Sequence, residues 1–175
     1  LSLILWNYLK LIKIKSTLKK LNPIIPLLFI ILIFTQIVIG AFVSGMDAGK
    51  IYNSWPLMGN SYFPDDNEII NVFKLSAFSE PSLVQFFHRN LAYVILVFYL
   101  FILIKIYKKK LRNLYVPINV VGLFLIIQIF LGILTLIFGA QIYIASMHQI
   151  SSIFLVTSSI YFYYINSVTN LRPSV

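Results

Sequence analysis

The chain has 175 residues, of which 59% are hydrophobic and only 11% are charged. A soluble domain carries about 25% charged residues, so this composition excludes an ordinary soluble protein and indicates an integral membrane protein. The net charge of +9 does not indicate nucleic-acid binding, because the basic residues lie beside apolar runs. The absence of cysteine excludes disulfides, iron–sulfur ligation and thiol chemistry.

Four apolar stretches reach the roughly 20 residues that a helix needs to cross a bilayer. They cover residues 24–44, 83–107, 116–138 and 143–165. The sequence therefore predicts an all-α integral membrane protein with a four-helix transmembrane bundle in residues 23–170. The opening run LSLILWNYL is too short to span, and the chain begins with Leu1 instead of methionine. We interpret residues 1–22 as the tail of an earlier helix and a basic linker in a fragment or processed product, with an interfacial segment as the alternative.

The charged residues predict the orientation of the bundle. Basic residues precede the first span, separate the second from the third, and follow the fourth: Lys10, Lys13, Lys15, Lys19, Lys20, Lys105, Lys108, Lys109, Lys110, Arg112 and Arg172. The loop 45–82 holds all five acidic residues against two lysines. By the positive-inside rule, the N-terminus and the tail 171–175 face the cytoplasm or the mitochondrial matrix, and the loop faces the other side.

The outer loop 45–82 is unusually long for a connection without its own structure. It contains aromatic residues that suit the headgroup level of a membrane: Tyr52, Trp55, Tyr62, Phe63, Phe73 and Phe78. We expect this loop to cover the outer end of the bundle. The alternative is an interfacial loop that takes no part in any chemistry.

The only two histidines, His88 and His148, lie just inside the outer ends of the second and fourth spans. Each is about one to two helical turns from that end, so we expect both at the same depth on helices that run in the same direction. A faint repeat accompanies them, QIVIG at 36–40 and QIFLG at 128–132. This repeat indicates a duplicated two-helix unit, with a pseudo-twofold relation between the two histidines.

Two histidines on neighbouring helices can bind a haem iron from both faces, since neutral imidazole is a good ligand and helical bundles hold cofactors between facing helices. A zinc site takes three or four ligands, which the spans do not offer. Small residues near the histidines would leave room for a flat macrocycle: Gly40, Ser44, Gly45, Ala92, Gly132, Gly139, Ala145, Ser151 and Ser152. The alternatives are small residues that only allow close helix packing, and histidines that only bond to neighbours at the interface.

Arg89 and Gln149 each follow a histidine directly. Arg89 suits a haem propionate, because guanidinium pairs well with carboxylates, although it could instead reach the lipid headgroups. Gln149 could hydrogen-bond the same cofactor or hold two helices together.

The chain resembles the haem A synthase family in three stretches. GAFVSGMDAGKIYNSWPLMG is similar to the family pattern at the end of the fifth helix, with these matches: Gly40, Ala41, Val43, Gly45, Asp47, Ala48, Gly49, Tyr52, Asn53, Pro56, Leu57 and Met58. QFFHRNLAY matches a second family motif through Gln85, His88, Arg89, Ala92 and Tyr93. LGILTL and IYIASMHQ resemble a third, with Ile144 in place of the usual leucine. The likeness is closest to the proteobacterial and mitochondrial branch, which lacks a cysteine pair in the loop.

The resemblance implies one half of a pseudo-symmetric eight-helix membrane enzyme, the C-terminal half. The whole enzyme would oxidise a methyl group of haem O to the formyl group of haem A for cytochrome oxidase. This half would bind haem b through His88 and His148, with Arg89 near a propionate, and would relay electrons. The N-terminal half would hold the catalytic glutamate and a second histidine pair, so the catalytic residues of this chain are unknown.

The resemblance also implies the partners and the location. The partners would be the N-terminal half, the haem O synthase that supplies the substrate, a ferredoxin-type electron donor and membrane lipid, but not nucleic acid. A homo-oligomer is left open. The protein would lie in the bacterial or mitochondrial inner membrane. The competing interpretations are a stand-alone bis-histidine electron-transfer cytochrome, and a transporter or structural membrane subunit without haem.

Overall fold

The computed structural model describes residues 2–11 and 20–167. Five α-helices follow one another: α1 Ser2–Leu11, α2 Ile24–Gly45, α3 Pro81–Lys108, α4 Tyr115–Ile137 and α5 Ile142–Ser167. Short 3₁₀ turns lie between them: Ala48–Lys50, Ile69–Phe73, Leu75–Ser79 and Arg112–Leu114. No β-strand occurs in these described residues, which confirms the predicted all-helical class.

Three helical segments are long and apolar enough to cross a membrane: Ile24–Gly45, Pro81–Lys108 and Arg112–Ile137. They coincide with the first three predicted spans. The fourth predicted span coincides with α5, which has 26 residues but is not among these three, since its serines and tyrosines make it less apolar. The chain is therefore an integral membrane helical protein, and a bundle of four spans stays a prediction.

The ends of α3 follow from its sequence. Pro81 occupies the first turn, where a missing backbone N–H costs nothing and the fixed φ suits a helix. The helix ends at Lys108, within a run of lysines in which Lys110 adopts a left-handed φ of 52°. Lysines near a helix C-terminus interact favourably with the helix dipole. This helix carries His88 in its second turn.

The helices pack chiefly as two pairs, α2 with α3 and α4 with α5, and α2 also contacts α5. The short α1 packs along α5, where the Trp6 ring stacks on Tyr163 with the ring centroids 5.6 Å apart. Whether α1 is the tail of an earlier helix stays a prediction. The predicted basic linker falls mainly on residues 12–19 and the predicted C-terminal tail on 171–175, and both lie outside the described residues.

The best-packed part of the bundle lies at the end where α3 turns into α4. Fully buried side chains there include Ile102, Ile106, Leu114, Ile118 and Phe162. Lipid tails are as apolar as these side chains, so the helices associate through close van der Waals packing more than through the hydrophobic effect.

The opposite half of the bundle, which carries both histidines, is packed less tightly. No residue of the described segments 34–47, 86–94, 129–139 and 142–154 is fully buried. The inner faces of four helices are therefore only partly covered around His88 and His148.

Candidate functional site

His88 is seated against α2, the partner helix of α3. A Cβ added at Gly40 would lie 3.1 Å from Cε1 of the His88 ring, so the ring packs directly on the glycine backbone. One turn earlier on α2, Nε2 of Gln36 donates a hydrogen bond to the His88 carbonyl oxygen at 3.0 Å. The same Nε2 lies 3.3 Å from Nε2 of the His88 ring. A glutamine and a glycine on one helix thus define the position of this histidine on the next. We call this pair, Gln36 and Gly40, the seat of His88.

His148 has the same kind of seat on α4, the partner helix of α5. A Cβ added at Gly132 would lie 3.1 Å from Cε1 of the His148 ring. Nε2 of Gln128 donates to the His148 carbonyl oxygen at 3.1 Å. Gln128 differs from Gln36 in one respect. The Gln36 amide contacts both the carbonyl and the ring of its histidine, whereas the Gln128 amide hydrogen-bonds the carbonyl of His148 but not its ring.

The two seats explain the faint repeat QIVIG and QIFLG. A glutamine and a glycine four residues apart lie on one face of a helix, one turn from each other. In each pair of helices that face meets a histidine. The two pairs also meet, because α2, on which His88 packs, contacts α5, which carries His148. The structure therefore brings the two sequence-predicted ligands into one region with matching surroundings.

Each seat contains buried polar atoms without a hydrogen-bond partner. They are Nδ1 of both histidines, Oε1 of Gln36 and Oε1 of Gln128. A buried polar atom without a partner costs free energy and in a native structure calls for an explanation, such as a bound group. These unpaired atoms leave each histidine able to make a further contact, and neutral imidazole is a good ligand for haem iron.

The donor set fits haem better than a structural metal ion. The described residues contain no group of three or more histidine, cysteine or acidic side chains that could hold a metal ion. A zinc site built by the protein alone would need such a group. A haem brings four ring nitrogens of its own, so two histidines would be enough to hold it. The partly covered inner faces and the two glycine seats also suit a flat ligand.

Arg89 holds the outer loop to α3. Its Nη1 donates to the carbonyl oxygens of Ser54 at 2.9 Å and Leu57 at 3.2 Å, and its Nη2 donates to that of Tyr52 at 2.9 Å. Its Nε is buried without a partner. A propionate would therefore share this guanidinium with three backbone carbonyls, and the propionate role remains a prediction. Sequence reasoning missed this contact because the acceptors are backbone atoms, which no motif reveals.

Further contacts tie the same loop to the helix ends. Nε2 of Gln85 donates to the Tyr52 carbonyl at 3.1 Å, and Nε1 of Trp55 donates to the Tyr93 hydroxyl at 3.1 Å. Nδ2 of Asn53 reaches the carbonyl of Leu136 at the end of α4. The loop is thus anchored within a turn or two of His88. A covering function for it stays a prediction.

The loop also contains one perturbed tyrosine outside the membrane spans. Partial burial raises the pKa of Tyr52 above its ordinary value of 10, and the hydrogen bond from its hydroxyl to the Asp66 carboxylate at 3.0 Å acts in the same direction. Tyr52 therefore stays neutral and remains a donor to Asp66 at physiological pH.

Gln149 has an exposed side chain, and its carbonyl accepts a hydrogen bond from Ser152. Its predicted contact with a cofactor therefore stays a prediction. The side chains in contact with the histidines that sequence reasoning left out are Gln36 and Gln128. Their signal was the repeated spacing of glutamine and glycine, which identified a duplication without assigning the glutamines a role.

Comparison with known proteins shows the family of the chain. The cytochrome oxidase assembly protein family (COX15-CtaA) matches residues 1–160. The haem A synthase of Pelagibacter ubique is 44% identical over 167 residues, which cover 95% of this chain and 49% of that protein. Those of Wolbachia pipientis and Rickettsia prowazekii are 39% and 35% identical over 77% and 91% of this chain.

The chain spans about half the length, or less, of these relatives, since the matches cover 49%, 37% and 47% of them. No solved structure shows significant similarity to it. The family match extends over both histidine seats and the loop between them. The chain therefore belongs to the haem A synthase family of cytochrome oxidase assembly proteins.

Proposed function

We propose that this chain is the haem-b-binding, C-terminal half of a haem A synthase, which oxidises a methyl group of haem O to the formyl group of haem A. The observation that carries the proposal is the pair of matching seats for His88 and His148. Each ring packs on a glycine, and each histidine carbonyl accepts a glutamine amide from the paired helix.

The residues around the seats would each perform one task. His88 and His148 would hold the haem iron. Gly40 and Gly132 have no side chain, so the His88 ring can pack directly on α2 and the His148 ring on α4. Arg89 and the loop that it holds would cover the outer edge and limit the entry of water. When bound, a bis-histidine haem supplies one-electron transfer, so this half would relay electrons to the substrate haem.

The same proposal gives an architecture and a location. The repeated seats support a duplicated two-helix unit, in a four-helix bundle that forms one half of a pseudo-symmetric eight-helix protein. The relatives are bacterial, which supports the bacterial inner membrane. The lysines between α3 and α4 support cytoplasmic termini. The other half of the enzyme, a haem O synthase and a ferredoxin-type donor would be its partners.

A second candidate function rests on the same observation. Two histidine seats in one bundle would also suit an electron-transfer cytochrome that does not act on haem O. This alternative shares the haem-binding site with the first proposal and differs in the product of the reaction.

An assay of haem A formation separates the two candidates. The chain would be joined to the part of the Pelagibacter ubique relative that it does not match, and expressed in a bacterial strain that lacks haem A synthase. We expect haem A in extracts from the wild-type fusion and its loss with His88→Ala or His148→Ala. Fusion protein that carries haem b but yields no haem A would favour the cytochrome. Equal haem A in both variants would contradict the relay role.

A further inference from the structure

We infer that Gln36 and Gln128 are positioning residues, each of which orients the ligand histidine of the helix it packs against. This inference rests on the proposed haem ligation by His88 and His148. It adds a role for two side chains, each of which hydrogen-bonds the histidine of its own helix pair.

The first step is the hydrogen bond that crosses each helix pair. The amides of Gln36 and Gln128 donate to the carbonyl oxygens of His88 and His148 at 3.0 and 3.1 Å. Within a helix that oxygen already faces the N–H four residues on, and at His148 it also accepts from the Ser151 hydroxyl at 3.0 Å. Each glutamine adds a donor from the neighbouring helix. This bond fixes the turn that carries the ligand relative to the neighbouring helix.

The second step is the set of unpaired atoms. Each seat contains a buried Oε1 acceptor and a buried Nδ1, both without partners. A histidine that binds metal nearly always donates its other ring N–H to an acceptor, which fixes its tautomer and orientation. The glutamine oxygen is an acceptor of the required kind, already next to the histidine that needs one. A bond from Nδ1–H to Oε1 would satisfy both atoms and leave Nε2 for the iron.

The third step is a difference between the seats. Nε2 of Gln36 lies 3.3 Å from Nε2 of His88, whereas the Gln128 amide hydrogen-bonds the carbonyl of His148 and not its ring. His88 could hold an iron through Nε2 only with the Gln36 amide nitrogen turned away from that atom, which would leave the unpaired Gln36 oxygen to accept from Nδ1–H.

The test uses glutamine-to-methionine variants of the full chain in detergent, titrated with haem. Methionine keeps an unbranched side chain that suits a helix and removes the amide. The matched controls are Ile37→Met and Ile126→Met, at neighbouring positions whose side chains are 38% and 65% exposed. We expect Gln36→Met and Gln128→Met to weaken haem affinity by about 10- to 100-fold and to reduce the low-spin signal, as changes in the outer shell of a metal ligand do. The controls should stay within about twofold of wild type.

Double variants show whether each glutamine acts through its own histidine. In a His88→Ala background, Gln36→Met should change haem affinity by less than about twofold, while Gln128→Met keeps its full effect. The opposite pattern is expected in a His148→Ala background. Equal effects of Gln36→Met with and without His88 would overturn the inference, because the glutamine would then only hold the helices together.

The result for the wild-type chain separates the two proposals. If the wild-type chain takes up no haem, the proposed function fails and this inference fails with it. If uptake depends on the histidines but not on the glutamines, only the inference fails.

Discussion

Gly40 and His88 are in direct contact across the α2–α3 pair, since a Cβ at residue 40 would lie 3.1 Å from Cε1 of the imidazole. Gly132 and His148 repeat this relationship at the same distance. Neither glycine has an unusual backbone conformation. Their role is therefore close approach, because any larger residue would push a ligand ring away from its seat.

Gly40→Ala and Gly132→Ala should weaken haem binding. The new methyl group must displace the ring by a few tenths of an ångström, and ligand positions in a metal site tolerate only about 0.5 Å. We expect a loss of affinity of about tenfold, measured by haem titration of the purified chain.

Gly45→Ala is the matched control, because nothing lies within 4 Å of the added Cβ. Alanine in a helix is about 0.5 to 1 kcal/mol more favourable than glycine, so none of these variants should unfold α2 or α4. Wild-type haem affinity in Gly40→Ala and Gly132→Ala would contradict the claim that these glycines position the two histidines for haem binding.

Arg89→Gln should release the outer loop from α3. The variant loses donors to the carbonyls of Tyr52, Ser54 and Leu57. Hydrogen bonds to a charged group contribute roughly 1.5 to 3 kcal/mol, so we expect amide exchange in segment 51–58 to accelerate at least about tenfold by mass spectrometry.

Haem affinity should change less in Arg89→Gln than in His88→Ala, since the arginine is already engaged by backbone oxygens. Arg112→Gln, at an exposed position in the α3–α4 turn, is the control and should leave exchange in the loop unchanged. If loop exchange stays at the wild-type rate while haem binding is lost, Arg89 acts on the cofactor and not on the loop.

Asn166→Ala should destabilise the fold without touching the haem site. The Asn166 side chain is 1% exposed; its Oδ1 accepts from the Leu21 N–H at 2.9 Å and its Nδ2 donates to the Leu21 carbonyl at 3.2 Å. Truncation leaves two buried backbone groups unpaired, at roughly 1 to 3 kcal/mol each.

We expect the free energy of unfolding in detergent to fall by about 2 to 4 kcal/mol, followed by circular dichroism. Asn119→Ala removes an exposed asparagine that donates to the Tyr107 hydroxyl, and should cost less than about 0.5 kcal/mol. A similar decrease in the free energy of unfolding in both variants would show that the hydrogen bonds from Asn166 to Leu21 stabilise the fold no more than an exposed hydrogen bond does.

The outer loop should touch the lipid headgroups through Phe73 and Leu75, which are 80% and 92% exposed. Nearby Phe78 packs on Phe42, in the last turns of α2, with ring centroids 6.3 Å apart, so this segment lies level with the outer end of a span. The chain has no cysteine, and Leu75→Cys can therefore carry a spin label without background.

In reconstituted membranes, the label at residue 75 should be accessible to oxygen and protected from a water-soluble paramagnetic relaxation agent. A label at the lipid-facing control position, Val97→Cys, should behave in the same way. A label at the exposed turn residue Asn60 should show the reverse. If both reagents reach the label at residue 75, the segment lies in water. If neither reaches it, the segment is buried against protein. Either result would contradict the contact with lipid headgroups.

The helix positions were predictable because long apolar runs are separated by segments that contain polar, charged, glycine or proline residues. The first predicted span, 24–44, differs from α2, Ile24–Gly45, by one residue. The histidines could be found for the same reason, since a titratable side chain stands out in an apolar helix. The weaker hydropathy of α5 was overlooked, because a search for uncharged residues does not register its serines and tyrosines.

The partners of the site residues could not be predicted. Arg89 binds carbonyls that lie 32 to 37 residues away in a loop without periodicity, and backbone acceptors have no sequence signature. Gln36 and Gln128 were visible as a repeat. Which helix faces which is decided by packing, however, so the repeat alone did not connect each glutamine with a histidine.

The most direct test of the haem site is an absorption spectrum of the purified chain after incubation with haem, recorded oxidised and reduced. Wild type should give a low-spin, b-type spectrum. His88→Ala and His148→Ala should each lose it, and the double variant should retain no haem. Full haem occupancy in the double variant, or no uptake by a wild-type chain shown to be helical by circular dichroism, would contradict the assignment of His88 and His148 as the axial ligands.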